Sequence, residues 1–143
     1  MTRPLRLAIN GASGRMGSAL LDLLGTDARF MLVHAVVAPE SEHNGRPVLS
    51  GAAAPLCYVH DWSRAPAIDV VIDFSGPAGL AAAIDHCEIH GTALVSGTTG
   101  LDAALEARLA AAGKRMAILR AANFSLGVAV LTRLLREAAA ALQ

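Results

Sequence analysis

The sequence is short of several things, and each shortage closes off a class of function. Its 143 residues hold only three Phe, one Tyr and one Trp. The core must therefore be built from Ala, Val, Leu and Ile, a composition suited to helices packed closely on a sheet. Net charge is missing too: Lys+Arg and Asp+Glu are both 12. The basic face that a nucleic-acid partner requires is absent, and no run of like charges marks a tail. Cysteine is limited to Cys57 and Cys87, with no second cysteine near either. That excludes a disulfide framework or a zinc pattern, and both read as small apolar residues. No segment reaches about 18 uninterrupted apolar residues, and no apolar stretch of signal-peptide type follows the basic residues of 1–5. A membrane partner is not expected, and the cytoplasm is the expected compartment.

What is present is apolar and ordered in short blocks. Hydrophobic residues make up 54% of the chain, whose length fits one domain. An apolar run at 5–10 ends at Gly11, and helical spacing follows in Met16, Leu20, Leu21, Leu23 and Leu24. Residues 30–37 read as a second strand, 38–55 as an irregular loop, and 56–59 as a short strand. Residues 70–74 are apolar except for Asp73, the pattern of a strand buried on both faces. An Ala-rich helix is expected over 77–89 and a strand over 93–95. Asp102 caps a helix running to about Ala112, stopped by Gly113. A strand over 116–119 and a helix from Leu126, capped by Ser125, complete the pattern. Strands alternating with helices imply a doubly wound, mostly parallel α/β sheet of Rossmann type over 1–143.

The most informative segment is Gly11-Ala12-Ser13-Gly14-Arg15-Met16-Gly17. Gly11 allows a tight turn straight off the strand. Gly14 removes a side chain where a phosphate would approach, and Gly17 lets the helix lie close to the sheet. The helix N-terminus then offers free N–H groups and partial positive charge to a pyrophosphate. The spacing is G-x-x-G-x-x-G, not the G-x-G-x-x-G of the usual dinucleotide turn, and a turn needing glycine for geometry alone would look the same. Arg15 in the first helical turn opposes the helix dipole, which is easier to understand if an anion sits there. A solvated surface arginine is the alternative.

Two other glycine-loop chemistries fail on composition. A P-loop needs Gly-Lys-Ser/Thr, and the only lysine is Lys114. A short-chain dehydrogenase needs Tyr-x-x-x-Lys, and four residues after Tyr58, the only tyrosine, stands Trp62. His34, His60, His86 and His90 share no metal spacing. The i, i+4 pair His86 and His90 has no third ligand and reads as a solvated helix face.

Four segments together resemble the N-terminal part of the 4-hydroxy-tetrahydrodipicolinate (dihydrodipicolinate) reductase family. They are 11–17, Val71-Ile72-Asp73-Phe74-Ser75, Ser96-Gly97-Thr98-Thr99-Gly100, and Ala122-Asn123-Phe124-Ser125-Leu126-Gly127-Val128. The resemblance implies NADH or NADPH as cofactor. It implies that Gly11, Ala12, Ser13, Gly14, Arg15 and Met16 wrap the pyrophosphate. Gly97, Thr98 and Thr99 would sit by the nicotinamide, with Phe74 and Ser75 lining the pocket. Ala121, Ala122, Asn123 and Phe124 would close it near the same ring. Without the family, Gly97 to Gly100 also suits a plain loop and Asn123 a turn, while Asp73 reads as a buried support that hydrogen-bonds neighbouring backbone N–H groups. All four segments follow expected strands, where ligands of parallel sheets bind.

In the intact family the hydride goes to a cyclic dicarboxylate derived from 4-hydroxy-tetrahydrodipicolinate, an oxidoreductase step of lysine and diaminopimelate biosynthesis, in a homotetramer. Two departures stand out. The acid that usually meets the adenosine ribose at the end of the second strand is replaced by Ala38, with Glu40 or Glu42 as substitutes from the loop and Arg46 as a cation for a 2′-phosphate. The family's H-H-x-x-K-x-D-x-P-S-G-T-A signature and its substrate and tetramerisation domain have no counterpart in 1–143, so no catalytic residue is assigned. The chain reads as the cofactor half of the reductase, inactive by itself. A non-catalytic NAD(P)-binding module and another reductase built on the same domain are the other readings.

Overall fold

The computed structural model describes residues 3–48 and 56–142. A six-stranded sheet organises them. Strand β1 (Leu5–Asn10) lies centrally between β2 (Phe30–Val36) and β4 (Val70–Asp73). Beyond β2 comes β3 (Tyr58–Val59), and beyond β4 come β5 (Ala93–Ser96) and β6 (Ile118–Arg120). Every pairing is parallel and the order is β3-β2-β1-β4-β5-β6. In register, Asn10 stands opposite Asp73, and Asp73 opposite Ser96, so three strands end level with one another.

Helices α2 (Pro77–His90) and α3 (Ala103–Ala112) cover one face. Proline at the first turn of α2 suits a position where an N–H would be unpaired, and left-handed Gly91 ends the helix with its N–H donating to the Cys87 carbonyl. The Asp102 carboxylate accepts from the Leu105 N–H at the start of α3, as its position implied. Ala8, Val71, Leu80, Ile84, Leu94 and Leu109 form the main core beneath these helices. Helix α1 (Arg15–Leu24) covers β1 and β2 on the other face, its Leu21 clustered with Ile9 and Ala35.

The structure corrects several expectations. The 70–74 segment is buried on one face only: Val71 and Asp73 are fully buried, whereas Val70 and Ile72 are half-buried. They line an apolar groove beside α1 with Leu5, Leu7 and Val95, because no described helix lies over that half of the sheet. Helix α4 (Leu126–Ala141) starts at Ser125 as its capping hydroxyl implied, yet it has no buried residue. The 38–55 stretch is not irregular throughout. Residues 45–48 run antiparallel to 56–58, with Val48 N–H donating to the Leu56 carbonyl and Tyr58 N–H to that of Arg46. The last strand begins two residues later than its apolar run suggested. Residues 49–55 of that loop lie outside the described residues.

Candidate functional site

The parallel order reverses between β1 and β4, so the loops leaving these strands diverge to opposite sides and open a crevice at their carboxyl ends. A cavity of about 700 Å³ occupies this point. Its walls are Gly11, Ser13 and Gly14 after β1, residues 36–40 at the end of β2, and residues 74–79 after β4.

The glycine turn is built by contacts that fix its shape. Gly11 has φ +82°, which favours glycine, and a Cβ there would stand 2.5 Å from the Phe74 carbonyl oxygen. The N–H groups of Gly11 and Ala12 both donate to the Val36 carbonyl at 3.0 and 2.9 Å, and Gly14 N–H donates to that of Gly11 at 3.0 Å. Gly17 serves a different contact from the one its position suggested. A Cβ there would collide with the Gly11 carbonyl oxygen and stand 2.7 Å from Ala12 Cα, so Gly17 seats α1 on the turn itself rather than on the sheet.

The helix opening is unsatisfied. Gly14 is the N-cap and supplies no side-chain hydrogen bond, and the first turn holds no acid. The amides of Arg15, Met16 and Gly17 precede any intrahelical acceptor, and exposed Arg15 adds positive charge where the helix dipole is already positive. Of the six residues expected to wrap a pyrophosphate, Gly11, Ser13 and Gly14 line the crevice, while Arg15 and Met16 are exposed at the start of α1 and lie outside its lining. The sixth, Ala12, is fully buried and contributes through its backbone.

Beneath the crevice lies a polar hub that the sequence indicated only in part. Asp73 is fully buried. Its Oδ1 accepts from Asn10 Nδ2 at 2.9 Å and Ser75 Oγ at 2.5 Å, and its Oδ2 from Ser96 Oγ and Thr98 Oγ1, both at 2.7 Å. Asn10 Nδ2 also donates to the Gly79 carbonyl at 2.9 Å. Asp73 is a support, as expected: the neighbouring Ser75 N–H donates to its Oδ1 at 3.4 Å, and the four side chains add the shorter bonds. Asn10 and Ser96 were not singled out, although the level register of the three strand ends explains their convergence.

Gly97, Thr98 and Thr99 follow β5 directly. The Thr98 hydroxyl faces Asp73, so this side chain anchors the loop from below. A Cβ on Gly97 would stand 2.6 Å from Phe74 Cδ1, so the Phe74 ring lies directly against this glycine. Phe124 meets the same ring edge-on at 5.7 Å. Ala121 N–H donates to the Ser96 carbonyl, and the Asn123 side chain accepts from Ser125 N–H as a turn former. The segments 97–99 and 121–124 thus come together around Phe74, next to the crevice.

His86 departs from expectation. Its relative exposure is 7%, and its ring stacks on Trp62 at 4.7 Å, with His90 4.5 Å beyond. Trp62, the single tryptophan, covers this part of the helix. Burial lowers the pKa of His86 from its ordinary value, as do the neighbouring His90 and His34; burial also lowers that of His34. No group of three metal-ligating side chains occurs among the described residues. Burial pushes the Cys87 thiol up to about 12, with Asp73 adding to the effect, as suits an inert core cysteine.

Comparison with known proteins agrees with this geometry. A family model described as dihydrodipicolinate reductase, N-terminus, matches residues 5–124. The chain is 45% identical over 141 residues to a 4-hydroxy-tetrahydrodipicolinate reductase of Xanthomonas euvesicatoria pv. vesicatoria (strain 85-10), covering 99% of this chain and 57% of that protein. It is 43% identical over 139 residues to the protein of the same name from Stenotrophomonas maltophilia (strain K279a), covering 97% and 56%. The dipicolinate-bound dihydrodipicolinate reductase from Paenisporosarcina sp. TG-14 shares the fold with a TM-score of 0.70 at 17% identity, over 92% of this chain and 52% of that one. The chain thus spans little more than half the length of these relatives. On the match over residues 5–124 and the identity to curated relatives, the chain belongs to the dihydrodipicolinate reductase family, whose N-terminal region it represents.

Proposed function

We propose that this chain binds a reduced nicotinamide dinucleotide in the crevice between β1 and β4, and that it serves as the cofactor half of a 4-hydroxy-tetrahydrodipicolinate reductase. The observation that carries this reading is the uncapped opening of α1, set by Gly11, Gly14 and Gly17 at the sheet's reversal point. The site fits the group: Gly11 and Gly14 keep side chains off the turn where it lines the crevice, the helix end has amides to spare, and the cavity has the volume of a ligand site.

In this reading the amides of Ser13, Arg15 and Met16 hold the diphosphate, and Arg15 adds charge. Gly97 to Thr99 and Ala121 to Phe124 border the nicotinamide end, with Phe74 between them. The Asp73 hub fixes the positions of the loops at 75 and 98, so the ring meets a preorganised wall. The cofactor, when bound, supplies the hydride. The acceptor would be the cyclic dicarboxylate of the family reaction, held by residues outside 1–143.

A substitution at the N-cap tests this sharply. Gly14 has φ −75° and ψ 171°, open to any residue, and a Cβ there meets only the Gly11 carbonyl oxygen at 3.2 Å. Aspartate is a favoured N-cap, and that gain offsets the tight approach of its Cβ to the Gly11 carbonyl oxygen, so Gly14→Asp should change stability little. It would also place a carboxylate where the diphosphate lies. Fluorescence titration should show saturable NADH binding to the parent chain and its loss in Gly14→Asp, with the urea midpoint showing that the variant is folded. Equal NADH affinity in the two proteins would refute the reading.

A further inference from the structure

We infer that the adenosine end of the crevice selects NADH over NADPH, with Glu40 as the selecting residue. The inference rests on the dinucleotide reading above and concerns the one wall on which the chain departs from the usual pattern. The two cofactors differ only at the adenosine ribose. NADH presents a 2′,3′-diol, which donates hydrogen bonds to a carboxylate. NADPH presents a 2′-phosphate, which requires cations.

The end of β2 forms this wall. Ala38, where an acid usually stands, has no group for a ribose, and Pro39 supplies no side-chain donor. The chain turns there, with Ser41 N–H donating to the Ala38 carbonyl at 2.9 Å, and this turn sets Glu40 on the lining of the cavity. Glu40 is exposed, with its carboxylate available to a diol.

The second observation is the charge of the cavity. Its lining includes Glu40 but no Lys or Arg. Arg46, the cation that the sequence offered for a 2′-phosphate, is not part of the lining, and neither is Arg15. His60 is the one imidazole on this wall, with its Nδ1 3.1 Å from Asn44 Nδ2. A 2′-phosphate brought here would meet a carboxylate, and like charges at an interface act against binding.

The test is a pair of fluorescence titrations of the 143-residue protein with NADH and NADPH at pH 8, above the ordinary imidazole range. NADH should bind at least about tenfold more tightly, in line with like-charge discrimination. Glu40→Gln should narrow the ratio, by weakening NADH and relieving NADPH. Glu40→Arg should invert it. These substitutions lie at an exposed turn, so a thermal melt should leave the fold intact. Equal or tighter NADPH binding by the parent chain would overturn the inference, as would a ratio unmoved by Glu40→Gln. Failure of both cofactors to bind would instead overturn the dinucleotide reading on which it rests.

Discussion

Replacing Asp73 by alanine removes the acceptor on which three strand ends converge, and the cost can be worked out from its partners. Four side-chain donors reach the carboxylate: Asn10, Ser75, Ser96 and Thr98. Two have other acceptors. Asn10 Nδ2 keeps the Gly79 carbonyl, and Ser75 Oγ keeps that of Gly76 at 3.3 Å. The hydroxyls of Ser96 and Thr98 are left as buried donors. Each orphaned donor costs about 1–3 kcal/mol, and the lost bonds to a charged group add to this. A destabilisation of about 3–5 kcal/mol follows, a large part of the roughly 5–15 kcal/mol of a typical domain. Asp73→Asn keeps the shape and one acceptor oxygen, while the two hydroxyls can turn to accept from its amide. Its loss should be no more than about half as large. Urea unfolding followed by far-UV circular dichroism measures both, as midpoint shifts at constant slope. A loss below about 1 kcal/mol for alanine, or asparagine as damaging as alanine, would refute the hub as the clamp of the crevice. Should the alanine variant not fold, the asparagine variant still decides.

Other perturbations should act through contacts already described. Gly17→Ala drives a methyl group into the backbone of the glycine turn, so a loss of about 1–3 kcal/mol or more is expected, together with weaker NADH binding. Leu80→Ala empties a fully buried position under α2 and should cost about 2–5 kcal/mol in urea unfolding. His34 and His86 have pKa values lowered from 6.5 in the folded protein, so the unfolded chain binds more protons as the pH falls. Their contribution is complete above the ordinary imidazole range and is lost as pH drops through about 6.5 toward the folded values. Urea midpoints at pH 7.5 and 5.5 should show this decline, and His86→Phe, which keeps the stack on Trp62, should reduce it. A flat profile in the parent chain would contradict the burial argument.

Local chemistry made much of the fold legible. Apolar runs bounded by glycine gave the strands, and Asp102 and Ser125 marked helix starts through their capping oxygens. The glycine turn could be placed because a strand, three glycines and a helix are contiguous in the chain. What stayed hidden depends on partners distant in sequence. Nothing near His86 announces that Trp62 will cover it, since the stacking joins residues on different elements. Asn10 and Ser96 looked like strand ends, and their convergence on Asp73 needs the register of three strands. The single-sided burial of 70–73 is not legible in the sequence, because an apolar run shows that a face can be covered, not that a described helix covers it. The antiparallel pairing of 45–48 with 56–58 was missed for a related reason: Pro47 and Gly45 read as loop residues, yet the backbone of their neighbours still pairs.

The central claim is that the opening of α1 grips the cofactor's diphosphate. Amide chemical-shift mapping of the labelled protein during an NADH titration tests it most directly. The account predicts the largest changes at Ser13, Arg15, Met16 and Gly17, with a second group at residues 97–99. Saturable binding that leaves the amides of 13–17 unmoved, while others shift, would contradict it.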